Sequence, residues 1–247
     1  MAPLNLALKI AIGILMVDSI IELSFVSSMV SWLHRRAGRD FAISYNGSTF
    51  PLHGKPAGLL LNEGHTSNGA AGTAFVLIGL GGILALYLRH HASRPNAKLR
   101  SLSMVWYHFW LIMTIPSMLL TLAALIYTFI LVNDHKGQTI SLSVASQLDN
   151  QPYPNFVAYP LDKWTPQNWF KAVLQLPLVS SSDRSNIETH VRVMDGWKWN
   201  LIPMFVIGLA VSAVAFAEAM AHRRMRNSTP RFNPEHKRMS PERGINR

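Results

Sequence analysis

Apolar residues dominate four stretches of the chain, about 8–33, 70–88, 102–132 and 201–221, and polar segments separate them. Each stretch is as long as the roughly 17–25 residues that carry a helix across a bilayer. The last three hold no Lys, Arg, Asp or Glu at their centres. A soluble fold of this size has no need of four such runs. The pattern predicts an all-α membrane protein: a four-transmembrane-helix bundle, with a membrane domain over 1–221 and a basic, disordered tail over 222–247.

The first run differs from the others, because Asp18 and Glu22 lie inside it. A spacing of four sets both acids on one helical face. A charge at mid-bilayer costs at least about 2.5–3.5 kcal/mol on insertion scales, so such residues face protein or a wet cavity. No Lys or Arg lies at matching depth in the other runs. The acids are therefore protonated, share a proton, face water, or bond to hydroxyls such as Ser19, Thr114 or Thr121. The third run, near Thr114 and Thr121, is the expected neighbour. Lys9 gives the run the look of a signal peptide, but its length and its two acids suit a span better.

The polar segments between the runs carry their own patterns. Phe41–Tyr45 and Ser48–Leu52 flank Asn46-Gly47, a pair suited to a tight hairpin turn in which both residues take positive φ. Pro51 makes the second strand an edge. Residues 138–148 alternate with period two, and 155–159 read as a shorter strand, so a small antiparallel sheet of up to four strands is expected. Thr165-Pro166 reads as an N-cap with proline at the first helical position. It opens a short helix with Trp169, Phe170, Val173 and Leu174 on one face. A further short helix is expected over 185–193, with Glu188 paired to Arg192. Trp32, Trp106, Tyr107, Trp110, Trp197 and Trp199 read as interface aromatics.

Within the second span, Gly72, Gly79, Gly81, Gly82 and Ala85 permit close packing, and Gly208, Ser212, Ala215 and Ala219 line one face of the fourth. Pro116 frees the Ile112 carbonyl and predicts a kink in the third span.

Charge sets the expected orientation. The 23 Lys and Arg residues outnumber the 13 Asp and Glu, but the basic residues gather beside the spans rather than on a nucleic-acid face. Arg89, Arg94, Lys98 and Arg100 share a side with the arginine-rich tail, and such residues favour the cytosol. Both termini are then cytosolic, and the segments 34–69 and 133–200 are exoplasmic. Arg35, Arg36 and Arg39 oppose this assignment and are outnumbered. The Asn46-Gly47-Ser48 sequon falls on the exoplasmic side, so Asn46 is the candidate glycosylation site. Asn227 opens a second sequon on the cytosolic side.

Candidate chemistry is sparse. With no cysteine, thiol catalysis, disulfides and zinc-thiolate or iron–sulfur sites are excluded. The histidines show no metal-ligand spacing, and no nucleotide loop or nucleophile elbow occurs. No cofactor and no nucleic-acid partner is expected. Asp18 and Glu22 are the acid/base candidates. Lys9, His108 and Glu218 lie about one turn inside the cytosolic ends of their spans and form a candidate polar cluster.

Four spans, cytosolic termini, a sheet-forming first outer loop and a kinked third span resemble the layout of claudin-like tetraspan proteins. The Trp…Cys…Cys signature of claudins is absent. The size, the lack of cofactor motifs and the basic tail are also similar to small multispan proteins of fungal secondary-metabolite pathways. That resemblance implies a cofactor-free enzyme, or a partner of membrane-bound enzymes, acting by cyclisation or isomerisation on a lipophilic molecule in the endoplasmic reticulum or plasma membrane. The claudin-like layout implies instead a non-catalytic organiser or adhesion protein. A ligand-sized cavity beside Asp18 and Glu22 favours the first, and a dry bundle with an apolar sheet edge favours the second.

Overall fold

The computed structural model describes residues 2–36, 39–92, 97–154 and 163–228. Four long helical rods carry the fold: α1 (Ala2–Arg36), a second rod built of α2 (Asn62–Thr73), a π-helical stretch (Ala74–Leu80) and α3 (Gly81–His91), then α4 (Ala97–Asp134) and α7 (Ser181–Ser228). Each contains a segment long and apolar enough to cross a membrane. The protein is a multi-pass membrane protein built as a four-helix bundle. α1 packs along α7 and the second rod, and α4 packs along the same two, so α1 and α4 lie at opposite corners. Successive rods alternate in direction, which brings Ala2 and Ser228 to one end. The other end carries the hairpin and the described parts of the third connection, 135–154 and 163–180.

Within each rod the spanning segment keeps apolar residues on its exposed face as well as its buried one, which is the mark of a span. On α1, Leu8, Ile12, Leu15, Val26 and Met29 are buried at helical spacing. Leu6, Ile10, Ile14, Val17 and Ile21 stand exposed on the opposite face, where lipid covers them. The bundle core closes around Leu8, Ile12, Trp110, Leu201, Met204 and Val211. Small residues permit this approach. A Cβ built on Gly79 would meet Met16 at 2.5 Å, and one on Gly82 would meet Trp110 at 2.9 Å. The π-helical stretch loosens the backbone ladder there. Trp110 Nε1 donates to the Ile78 carbonyl (3.0 Å) and Trp106 Nε1 to that of Gly81 (3.3 Å). Pro116 lies inside a continuous α4, whose Thr114 hydroxyl donates to the Leu111 carbonyl. Ser212 Oγ on α7 donates across to the Thr114 carbonyl (3.2 Å).

α7 has 48 residues. At 1.5 Å per residue it is about 70 Å long, far more than the roughly 30 Å hydrocarbon core. Its first turns stand beyond the bundle and support a folded cap. The cap holds the expected hairpin: β1 (Phe41–Tyr45) pairs antiparallel with β2 (Ser48–Leu52), and Asn46 and Gly47 both take positive φ. Phe41, Ile43 and Leu52 pack with Trp164, Trp169, Phe170, Val173 and Ile187 into a second core. α6 (Pro166–Leu174) begins where expected, with Thr165 Oγ1 accepting from Asn168 N.

Several expectations are corrected here. The alternating stretch 138–148 is not a strand; it forms an irregular segment and one short helix, α5 (Leu142–Ala145). Its place beside the hairpin goes to Leu178, which bridges Ile43. The 155–159 strand lies outside the described residues. The separate helix over 185–193 and the span at 201 are one continuous rod. Arg36, not a Glu188–Arg192 pair, joins this region, by an ion pair to Asp183 (2.6 Å). The basic tail is helical as far as Ser228, and the remainder lies outside the described residues. Trp32, Tyr107, Trp110 and Trp197 are core residues rather than interface anchors, because each ring is buried and each polar tip finds a partner within the protein. Trp199 alone of the two in α7 is exposed.

Candidate functional site

The buried stripe of α1 runs through the acidic pair. Asp18 is 8% exposed and Glu22 is fully buried, so both point into the protein. The neighbour of Glu22 is α7, not α4. Asn200 Nδ2 donates to Glu22 Oε2 (3.0 Å), and the Trp197 indole stands beside the same carboxyl. α4 takes the far corner of the bundle, which is why its threonines do not reach the acids. The hydroxyls of Ser19, Thr114 and Thr121 all donate to carbonyls of their own helices. Glu22 Oε1 and Asp18 Oδ2 are buried without a hydrogen-bond partner among the described residues.

From this pair the polar path leads toward the cap. Trp197 Nε1 donates to Ser67 Oγ (2.8 Å), crossing the bundle from α7 to α2. One turn before Ser67 lies Glu63, also on the inner face of α2 and 2% exposed. Trp197 and Glu63 both line a half-open cleft of about 710 Å³. Its walls are mostly apolar, with Val26, Met29, Val132, Met194 and Trp197 deep within. Its mouth runs between α1 and α2, where Val30, Ser31, His34, Leu61 and His65 are exposed. The α1 rim residues fall in the last turns of the apolar run, at the level where lipid meets the cap.

The third wall comes from α6. Asn168 Nδ2 donates to the Val132 carbonyl (2.9 Å) and so satisfies the end of α4. This seats Pro166 and Gln167 against the cleft. Gln167 is 1% exposed, and its Nε2 donates to Asp195 Oδ1. Glu63 Oε2 and Gln167 Oε1 are both buried oxygens without a partner among the described residues. Leaving such an atom unsatisfied costs about 1–3 kcal/mol. Two of them in the wall of one cleft mark it as a place where a polar group of a ligand would be stabilised.

The cluster expected at the other end forms with different members. Glu218 is buried, but its partners are Arg89 and Tyr107. Arg89 makes a two-pronged ion pair with it (Nη1 to Oε2, 2.8 Å), and Tyr107 OH donates to Oε2 (2.8 Å). Arg89 also stacks on the Tyr107 ring at 4.8 Å. Lys9 and His108 are exposed on the outer faces of their helices, and His108 Nδ1 is 2.7 Å from the Met104 carbonyl. This cluster is internally satisfied and joins three rods. Among the described residues, no group of three His, Asp or Glu stands close enough to hold a metal. Asn46 is exposed at the hairpin tip.

Sequence reasoning missed Glu63 and Gln167. Glu63 sat in a segment read as loop, because Asn62–Thr73 is rich in Gly, Asn and Thr. The signal was there in Glu63, Ser67, Ala70, Ala71 and Ala74, whose helical spacing extends the buried stripe beyond the apolar run. Comparison of the chain with protein-family models, with curated proteins and with solved structures finds no match.

Proposed function

We propose that this membrane protein takes a lipophilic small molecule into the cleft between α1 and α2 and converts it by acid–base chemistry, by cyclisation or isomerisation, either as the enzyme or as the partner that presents it to one. The cleft carries this reading. Its 710 Å³ volume lies within the roughly 300–1,000 Å³ typical of small-molecule sites. Its apolar walls suit a lipophile, its mouth lies beside lipid, and Glu63 supplies a carboxyl within its wall. Glu63 is the group assigned to meet the substrate. Asp18 and Glu22 stand behind Trp197, so their role is to position Trp197 and Asn200 rather than to touch substrate. The hairpin end is exoplasmic and the termini cytosolic in this reading, as the arginines of the second connection and the tail favour. An adhesive role draws less support, since β2 is only five residues long and buries Leu52, with Ser48, Thr49 and Pro51 exposed.

The test compares lipophilic metabolites of cells lacking the protein with cells expressing the wild type or Glu63→Gln. The amide keeps the volume and hydrogen bonding and cannot exchange a proton. The variant is expected at normal abundance, with the same accumulated precursor as the deletion. An unchanged metabolite profile in the deletion, or full rescue by Glu63→Gln, would refute the acid–base reading.

A further inference from the structure

The geometry points to a hydroxyl as the polar head of the molecule that enters the cleft, held at Gln167 Oε1 and the Glu63 carboxyl. This rests on the reading that the cleft takes a lipophile.

The orientation of Gln167 is set from outside the cleft. Its Nε2 donates to Asp195 Oδ1, and that oxygen also accepts from Lys171 Nζ (3.1 Å). Flipping the amide would turn its carbonyl oxygen against a carboxylate. The unpartnered atom is therefore an acceptor, and only a donor satisfies it. The other polar side chains that line the cleft, Ser27, Ser31, His34, His65 and Asn68, are all exposed at its rim. Val26, Met29, Val132 and Met194 carry no N–H or O–H in their side chains. The Trp197 indole is engaged by Ser67, and the Asn168 amide by Val132. The donor must come with the ligand.

Glu63 narrows the choice. Its Oε2 has no partner, and among the described residues no Lys or Arg is within ion-pair distance of it. A hydroxyl carries one hydrogen, so it donates to Gln167 Oε1 and accepts through its oxygen from the protonated Glu63 carboxyl. An ether or ketone cannot donate. An ammonium would bring a second charge into apolar walls, where its desolvation is costly.

The test uses the full chain in lipid nanodiscs with three photoreactive probes on one long hydrocarbon frame: an alcohol, its methyl ether and the matching primary amine. Labelled peptides are mapped by mass spectrometry. In the wild type the alcohol should label residues of the cleft about tenfold more efficiently than the ether, the effect of one neutral hydrogen bond. Gln167→Leu should bring that ratio to within about twofold and leave ether labelling unchanged. The wild-type ratio needs no variant, so it stands even if Gln167→Leu folds poorly. Equal labelling by alcohol and ether, a ratio untouched by Gln167→Leu in folded protein, or an amine preferred over the alcohol would each overturn the hydroxyl assignment. Absence of cleft labelling by all three probes would overturn the lipophile reading beneath it.

Discussion

The Glu22–Asn200 contact permits a quantitative test of how the acidic pair is held. Asn200→Leu removes the Asn200 donor to Glu22 Oε2 and leaves a fully buried carboxyl with only the Trp197 indole beside it. Stranding such a group costs about 1–3 kcal/mol. Glu22→Leu removes the acid itself and frees Asn200, which is half-buried on α7 and can find other partners. Its cost should be smaller, near 1 kcal/mol. Replacing both partners removes the stranded group, so the double variant should lose about 1–1.7 kcal/mol less than the two single losses added together. Side-chain hydrogen bonds between membrane helices couple by about 0.6 kcal/mol on average and up to about 1.7. A full-length contact onto a carboxyl should fall in the upper half of that range. Unfolding in mixed micelles by increasing SDS, followed by tryptophan fluorescence, gives the four free energies of the cycle. Strict additivity, within about 0.3–0.5 kcal/mol, would refute the contact. Glu22→Gln should unfold like the wild type, because its amide oxygen still accepts from Asn200.

The same assay applies at the other end of the bundle. Arg89→Met should destabilise by about 2 kcal/mol, less than the 3–5 of a fully buried pair because the Arg89 side chain is partly exposed, and Glu218→Leu added to it should restore most of the loss; an unaffected Arg89→Met would contradict the cluster. Gly82→Ala should cost about 1–3 kcal/mol by overpacking against Trp110 and Ile12, while Gly208→Ala, whose Cβ meets nothing within 4 Å, should be nearly neutral; equal effects would contradict the close approach of the rods. With the hairpin end exoplasmic, Asn46→Gln should speed migration on gels and Asn227→Gln should not, and the reverse pattern would invert the orientation.

The bundle was legible because lipid imposes a simple rule: four runs of about 20 apolar residues cannot be placed otherwise. The hairpin was legible because Asn46-Gly47 suits positive φ at both turn positions. The inward aim of Asp18 and Glu22 was legible too, since they share the 3–4 spacing of Leu8, Ile12 and Leu15. Which helix they face was not, because no local pattern says which rods are neighbours and which lie across a diagonal. The alternation in 138–148 misled, since period two marks a strand only where a partner strand is at hand, and Leu178 filled that edge instead. The cleft was hidden for a related reason. Its walls come from α1, α2, α4, α6 and α7; Glu63 sits in a segment that looks like a polar loop until its helical spacing is counted, and Gln167 sits on an expected short helix whose packing partners no local pattern names.

The most direct test of the cleft is to capture what occupies it in the native membrane. A photo-crosslinking amino acid is placed at Met29, inside the cleft, and in a second variant at Ile10, on the lipid face of the same helix. After irradiation of intact membranes, adducts are identified by mass spectrometry. A defined hydroxyl-bearing lipophile at Met29, with bulk phospholipid at Ile10, is the predicted result. The same bulk phospholipids at both positions would contradict it.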